Sequence, residues 1–168
     1  MASKRVLVLT TFYKPFIGGA EISTEEFIKR LKGSFDFIIF TTRTKRNLPK
    51  VENDNGILIY RLGFGFKFDK YLFPIIAFIR SFFIRFAFTY SVMATYSGVA
   101  ALLIKIFRGK PYVLNLQSGT LVEKLKRKKF FWIKFICKQI YVKADYIQTI
   151  SKSLSQSAVE FGVIPEKI

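Results

Sequence analysis

The sequence predicts an α/β fold: a Rossmann-like parallel sheet with helices on both faces, the arrangement that alternating strands and helices adopt. Three observations carry this. Short runs rich in β-branched and aliphatic residues alternate with helical patterns from residue 4 to residue 161. The first run, "KRVLVLT", is short and continuously apolar after its two leading cations, as in a buried strand. It is followed by "FYKPFIGGAE", in which Gly18 and Gly19 open a helix at the point where a strand would end.

In that first helix Ala20, Thr24, Phe27, Ile28 and Leu31 fall on one face. Glu25 and Lys29 make an exposed i,i+4 pair, and Gly33 is placed to stop the helix. Residues 35–41, "FDFIIFT", form the second strand. The polar stretch 43–56 reads as a loop with Pro49 and Asn55-Gly56 as turn formers, and residues 57–62 form a third strand. "GFGFKFDK" reads as a flexible aromatic loop, and residues 71–88 are apolar on nearly all sides apart from Arg80 and Arg85. A strand at 90–96, a helix at 98–107, a turn at Gly109-Lys110-Pro111 and a strand at 112–117 follow. The remainder reads as a basic amphipathic helix over 122–142, a strand over 146–151 and a helix over 152–161 ended by Gly162.

At 168 residues the chain suits one domain with a sizeable core. Hydrophobic residues make up 51% and Phe occurs 20 times, more than a small domain needs inside, so part of this surface is expected to face a partner or a membrane. With 28 Lys+Arg against 11 Asp+Glu the net charge is +17, which favours anionic partners such as nucleic acid, acidic lipid headgroups or phosphorylated substrates. There is no histidine, so His-based acid/base chemistry and His metal ligation are excluded within the chain, and no metal site is expected. The lone Cys137 has no partner for an internal disulfide; a core thiol is the expectation, although its basic neighbours would lower its pKa if they faced it. The N-terminus has too short an apolar run for a signal peptide. Residues 86–104 are uncharged and nearly long enough to span a bilayer.

A Gly-Gly between the first strand and first helix of such a sheet lies at the edge where ligands bind. Without Cβ atoms, phosphates or sugars reach the backbone N–H groups, and the helix N-terminus favours negative charge. The alternative is a tight turn that needs positive φ. Neither G-x-G-x-x-G nor G-x-x-x-x-G-K-[ST] is present.

Four segments in order, "VLVLTTFYKPFIGGAE", "GKPYVLNLQSG", "ADYIQTISKS" and "EFGVIPEKI", resemble the N-terminal half of family-4 glycosyltransferases, the retaining, GT-B-fold enzymes that use nucleotide sugars. The resemblance implies that residues 1–168 form a single Rossmann-like domain that holds the acceptor, with Gly18 and Gly19 as the loop facing the donor phosphates and sugar. It matches Pro15 and Glu21 to the flanks of that loop, and Ser151 to the serine ending the last strand. The usual histidine near the donor sugar is replaced by Gln117, followed by Ser118. Glutamine still hydrogen-bonds a hydroxyl or phosphate but does not exchange protons near neutral pH. The family's C-terminal nucleotide-sugar-binding domain, with glutamates eight residues apart, is expected to be absent from this chain, so the isolated chain should be inactive. No cofactor is implied; a UDP- or GDP-linked sugar is a substrate, and a lipid-linked or glycan acceptor is its partner.

On a helical wheel Lys124, Arg127, Phe131, Lys134 and Lys138 share one face, and Leu121, Leu125, Trp132, Ile136 and Ile140 another. Such a helix suits either an anionic membrane surface or ordinary solvated exposure. With the Phe-rich residues 71–88 it points to a cytoplasmic protein peripheral on the inner face of the membrane. Two other readings remain at this level: a basic nucleic-acid-binding domain, which lacks a recognisable motif so that no nucleic-acid partner is expected, and an integral protein anchored by 86–104.

Overall fold

The computed structural model describes residues 4–118 and 131–168. Seven strands form one sheet: β1 (Lys4–Leu9), β2 (Phe35–Thr42), β3 (Val51–Asp54), β4 (Ile57–Leu62), β5 (Phe88–Val92), β6 (Tyr112–Leu116) and β7 (Tyr146–Thr149). Their order is β3-β4-β2-β1-β5-β6-β7. Every pairing is parallel except that of β3 with β4. The helices are α1 (Gly19–Leu31), α2 (Asp69–Ser81), α3 (Tyr96–Arg108), α4 (Phe131–Lys143) and α5 (Lys152–Glu160), with a final 3-10 turn at Pro165–Lys167.

The strands alternate their side chains between two cores, as the two-residue period requires. Val6, Val8, Phe37, Ile39, Ile59 and Tyr90 pack under α1, where Phe27 stacks on Tyr90 at 4.1 Å. Leu7, Leu9, Phe40, Phe73, Leu114 and Ile140 belong to the opposite core, beneath α2 to α5. Small residues let α3 approach α4 closely: a Cβ on Gly98 would lie 2.9 Å from Ile140. Gly109 ends α3 in the left-handed region (φ 63°), its N–H donating to the Lys105 carbonyl.

Several expectations need correction. The polar stretch before Asn55-Gly56 contains an edge strand, β3, and the pair Asn55 (φ 52°) and Gly56 (φ 85°) makes the two-residue turn that closes it on β4. Gly33 is not left-handed; α1 simply runs out at Lys32. Residues 86–104 are divided between β5 and α3, and among the described residues no helix is long and apolar enough to cross a membrane. The "GFGF" loop is fastened, not loose: the Asp69 carboxylate accepts from the N–H groups of Phe64, Gly65 and Phe66 at 2.7, 2.6 and 3.0 Å.

Candidate functional site

Apart from the β3 hairpin, the strands run outwards from β1 in one direction through β2 to β4, then in the other through β5, β6 and β7. The direction reverses between β1 and β5, and in such sheets the crevice at the carboxyl ends of the two strands is where ligands sit. A cavity of about 180 Å³ lies there. Its walls come from Thr10, Thr11 and Phe12 after β1, Ala20 and Glu21 of α1, and Met93, Thr95 and Tyr96 after β5. The Thr11 and Thr95 hydroxyls face each other across it at 3.5 Å. Met93 holds a left-handed φ of 69°, uncommon for a residue with a side chain. Its N–H donates to the Asn115 carbonyl at 2.7 Å, and its own carbonyl accepts from the Ser97 hydroxyl at 3.1 Å.

The glycine turn leads directly into Ala20 and Glu21, which form this side of the cavity's rim. Gly18 caps α1 in extended backbone (φ −127°, ψ 177°), and the first helical bond runs from the Ile22 N–H to the Gly18 carbonyl. The N–H groups of Gly19, Ala20 and Glu21 therefore precede the helical ladder. Neither Gly18 nor Gly19 has a positive φ. A Cβ on Gly19 would meet nothing within 4 Å, and one on Gly18 would meet only the flexible end of Glu21. The tight-turn alternative is thus not what the backbone shows: the fold itself does not call for glycine here.

The loop leading to this rim is clamped from two sides. The Lys14 ammonium lies 2.9 Å from Glu25 and 3.1 Å from Asp54. The hydrogen bond that Lys14 donates to Glu25 holds the Glu25 carboxyl below its ordinary range and raises the Lys14 pKa. Arg61, only 4% exposed, donates to the Lys14 carbonyl at 3.0 Å and pairs with Glu52. Tyr13 is buried beneath, its pKa pushed up to about 12 chiefly by burial.

The structure brings some predicted residues together and separates others. Glu21 lines the cavity, Gly18 and Gly19 directly precede its wall residues Ala20 and Glu21, and Pro15 lies on the clamped loop. Gln117 and Ser118 follow β6, and Ser151 follows β7, further along the same carboxyl edge. The Gln117 amide nitrogen is buried with no hydrogen-bond partner among the described residues. Ser151 caps α5, its hydroxyl accepting from the Leu154 N–H at 3.3 Å. Sequence reasoning did not single out Thr10, Thr11, Thr95 or Tyr96. They become a site only through the strand order, which no local motif encodes.

Lys124 and Arg127 lie outside the described residues. Phe131, Lys134 and Lys138 are exposed on α4, but so are Trp132 and Ile136, which were expected on an apolar face; Cys137, Ile140 and Tyr141 are the side chains α4 buries. Burial pushes the Cys137 thiol up to about 11, so the basic neighbours do not activate it. Among the described residues no three His, Cys, Asp or Glu side chains are grouped to hold a metal.

The fold recurs in known proteins. An uncharacterised glycosyltransferase of Methanocaldococcus jannaschii, MJ1069, is 26% identical over 180 residues, covering 95% of this chain and 45% of that protein. The chain thus spans a little under half the length of this relative. Among solved structures, sucrose-phosphate synthase from Thermosynechococcus elongatus superposes with a TM-score of 0.65 at 14% identity, over 86% of this chain and 41% of that one. UDP-N-acetylglucosamine 2-epimerase from Rickettsia bellii gives 0.64 at 11% identity, over 98% and 43%. These two likenesses establish the fold. The profile of Glycosyltransferase Family 4 matches residues 17–168, from the glycine turn to the last residue, and the chain belongs to that family.

Proposed function

We propose that this chain is the acceptor-side half of a retaining glycosyltransferase. It would act with a donor-binding half to move a hexosyl group from a UDP- or GDP-linked sugar to a lipid-linked or polysaccharide acceptor, peripherally on the cytoplasmic face of a membrane. The observation that supports this most is the rim of the crevice, where three helix N–H groups stand beside two glycines that the backbone does not require. Negative charge grows on the departing diphosphate as the glycosidic bond to it breaks. Preorganised N–H groups at Gly19, Ala20 and Glu21 would stabilise that charge without reorganisation.

The crevice wall carries the hydroxyl residues Thr11, Thr95 and Tyr96 and the carboxylate residue Glu21 in an otherwise apolar lining. The Thr11 and Thr95 hydroxyls, now 3.5 Å apart, would exchange that contact for sugar hydroxyls. The Gln117 amide nitrogen, without a hydrogen-bond partner among the described residues, would donate to the sugar or the leaving phosphate. Lys134 and Lys138, exposed on α4, would add a basic surface for anionic lipid.

The test is sugar transfer from a panel of UDP- and GDP-sugars to lipid extracts and glycans. A protein joining this chain to a donor-binding half should release nucleoside diphosphate and glycosylate an acceptor, while the 168-residue chain alone should not. Absence of transfer with every donor, or clear turnover by the chain alone, contradicts the reading.

A further inference from the structure

The outer surface of α2 is apolar along its whole length. Phe68, Leu72, Ile75, Ile79, Phe82 and Phe83 recur at three- and four-residue spacing and are all exposed, Phe83 at 75%, Ile75 at 56% and Ile79 at 54%. Side chains at that spacing share one face of a helix, so the stripe is a continuous ridge of about 22 Å. Phe107 of α3 joins it through Phe78, at 5.3 Å between ring centres.

Cations border the ridge. Lys67, Lys70, Arg80, Arg85, Arg108 and Lys110 lie on or beside α2 and α3, and none forms an ion pair among the described residues. Several lie over the aromatic rings: Arg108 is 4.8 Å from the centre of Phe86 and 5.1 Å from that of Phe82, Arg80 is 5.9 Å from that of Phe83, and Lys70 is 5.1 Å from that of Tyr71. Between residues 63 and 111 the sole acidic side chain is Asp69, which is buried against the loop it fastens.

We propose that this α2–α3 face rests on an anionic lipid bilayer, the stripe sunk to the level of the headgroups and the cations above it among the phosphates. An apolar ridge fringed by unneutralised cations is the pattern of an interfacial helix. Charge decides between occupants. A second copy would bring two cationic fringes together without acids to match them. A bilayer supplies the phosphates, and attraction to it adds to apolar burial. Tyr71, on the exposed surface of α2, packs edge-on against Tyr96 at 5.3 Å, and Tyr96 lines the crevice. The membrane surface therefore reaches the crevice mouth, where the polar head of a lipid-linked acceptor would enter. That last step rests on the proposed function; the surface itself does not.

Co-sedimentation of the chain with phosphatidylcholine vesicles, with and without phosphatidylglycerol, tests this. The chain should bind the anionic vesicles more tightly. Replacing Ile75, Ile79 and Phe83 by Ser should weaken binding to anionic vesicles at least tenfold and remove the part that survives high salt. Replacing Lys67, Lys70 and Arg85 by Gln should weaken binding to anionic vesicles by about a hundredfold and hardly change it on neutral ones. Circular dichroism checks folding. If the serine variant does not fold, Phe83→Trp in a Trp132→Phe background serves instead, and the emission of the introduced indole should shift blue and be quenched by brominated lipid.

The proposal is overturned if the unaltered chain ignores anionic vesicles, if both variants bind as it does, or if the introduced indole is not quenched. It is also overturned if the chain is a dimer that the serine variant makes monomeric while vesicle binding is unchanged. Vesicle binding is read without substrate, so its failure leaves sugar transfer standing, and failed transfer leaves this surface standing.

Discussion

The carboxylate of Asp69 occupies the space that a side chain at position 63 would need. A Cβ built on Gly63 would lie 2.6 Å from the Asp69 Cγ, and Gly63 itself has a φ of 112°. One oxygen of the same carboxylate gathers three backbone N–H groups, so the turn between β4 and α2 depends on both residues. We expect Asp69→Asn to destabilise the fold by about 2 kcal/mol, the range for hydrogen bonds to a charged group. Gly63→Ala should cost about 1–3 kcal/mol through backbone strain alone. Urea unfolding midpoints of the two variants check this; midpoints equal to that of the unaltered chain would contradict it.

Cys137 should be a poor nucleophile in the folded chain. Its thiol is raised to about 11 by burial, against 9.0 for a free group. At pH 8 the thiolate fraction is then about a hundredfold lower than in the unfolded chain. Labelling with a disulfide reagent should be slow in buffer and immediate in denaturant. Fast labelling of the folded chain would show that α4 leaves the thiol open.

The Lys14–Glu25 pair should make stability depend on acid. The folded-state pKa of Glu25 lies below its ordinary 4.5, through the hydrogen bond from Lys14. Its contribution is therefore complete above the unfolded value and is lost as the pH falls through the lower folded value. Both side chains are partly exposed, at 39% and 29%, so the effect should be at most about 1 kcal/mol. Unfolding midpoints at pH 7 and pH 3 should differ less in Glu25→Gln than in the unaltered chain. An equal difference would place the acid sensitivity elsewhere.

Much of this molecule is legible in its sequence, because buried parallel strands are written as short apolar runs, and each of the six runs read as a strand overlaps one in the structure. The edge strand β3 is not: "VEND" carries no apolar alternation, and only the Asn55-Gly56 turn hints that it folds back. Residues 71–88 read as uniformly apolar because one side of α2 fills the core through Phe73 and Ala77 while the other stays exposed through Ile75 and Ile79. Arg61 is buried as a clamp on the Lys14 loop, a role set by a residue 47 positions away and written in no local pattern. The glycine rim was visible from its position after β1. The threonines of the crevice were not, since β1 and β5 become neighbours only when the sheet assembles.

The most direct test of the account is Gly19→Val in a protein that joins this chain to a donor-binding half. A Cβ at this position meets no atom within 4 Å, and the backbone is not left-handed there, so folding should be untouched. The added bulk would stand where the donor phosphates must approach the N–H groups of α1. We predict an unchanged unfolding midpoint with sugar transfer reduced at least about tenfold. Transfer at the rate of the unaltered protein would contradict the account and leave Gly18 and Gly19 as an ordinary helix start.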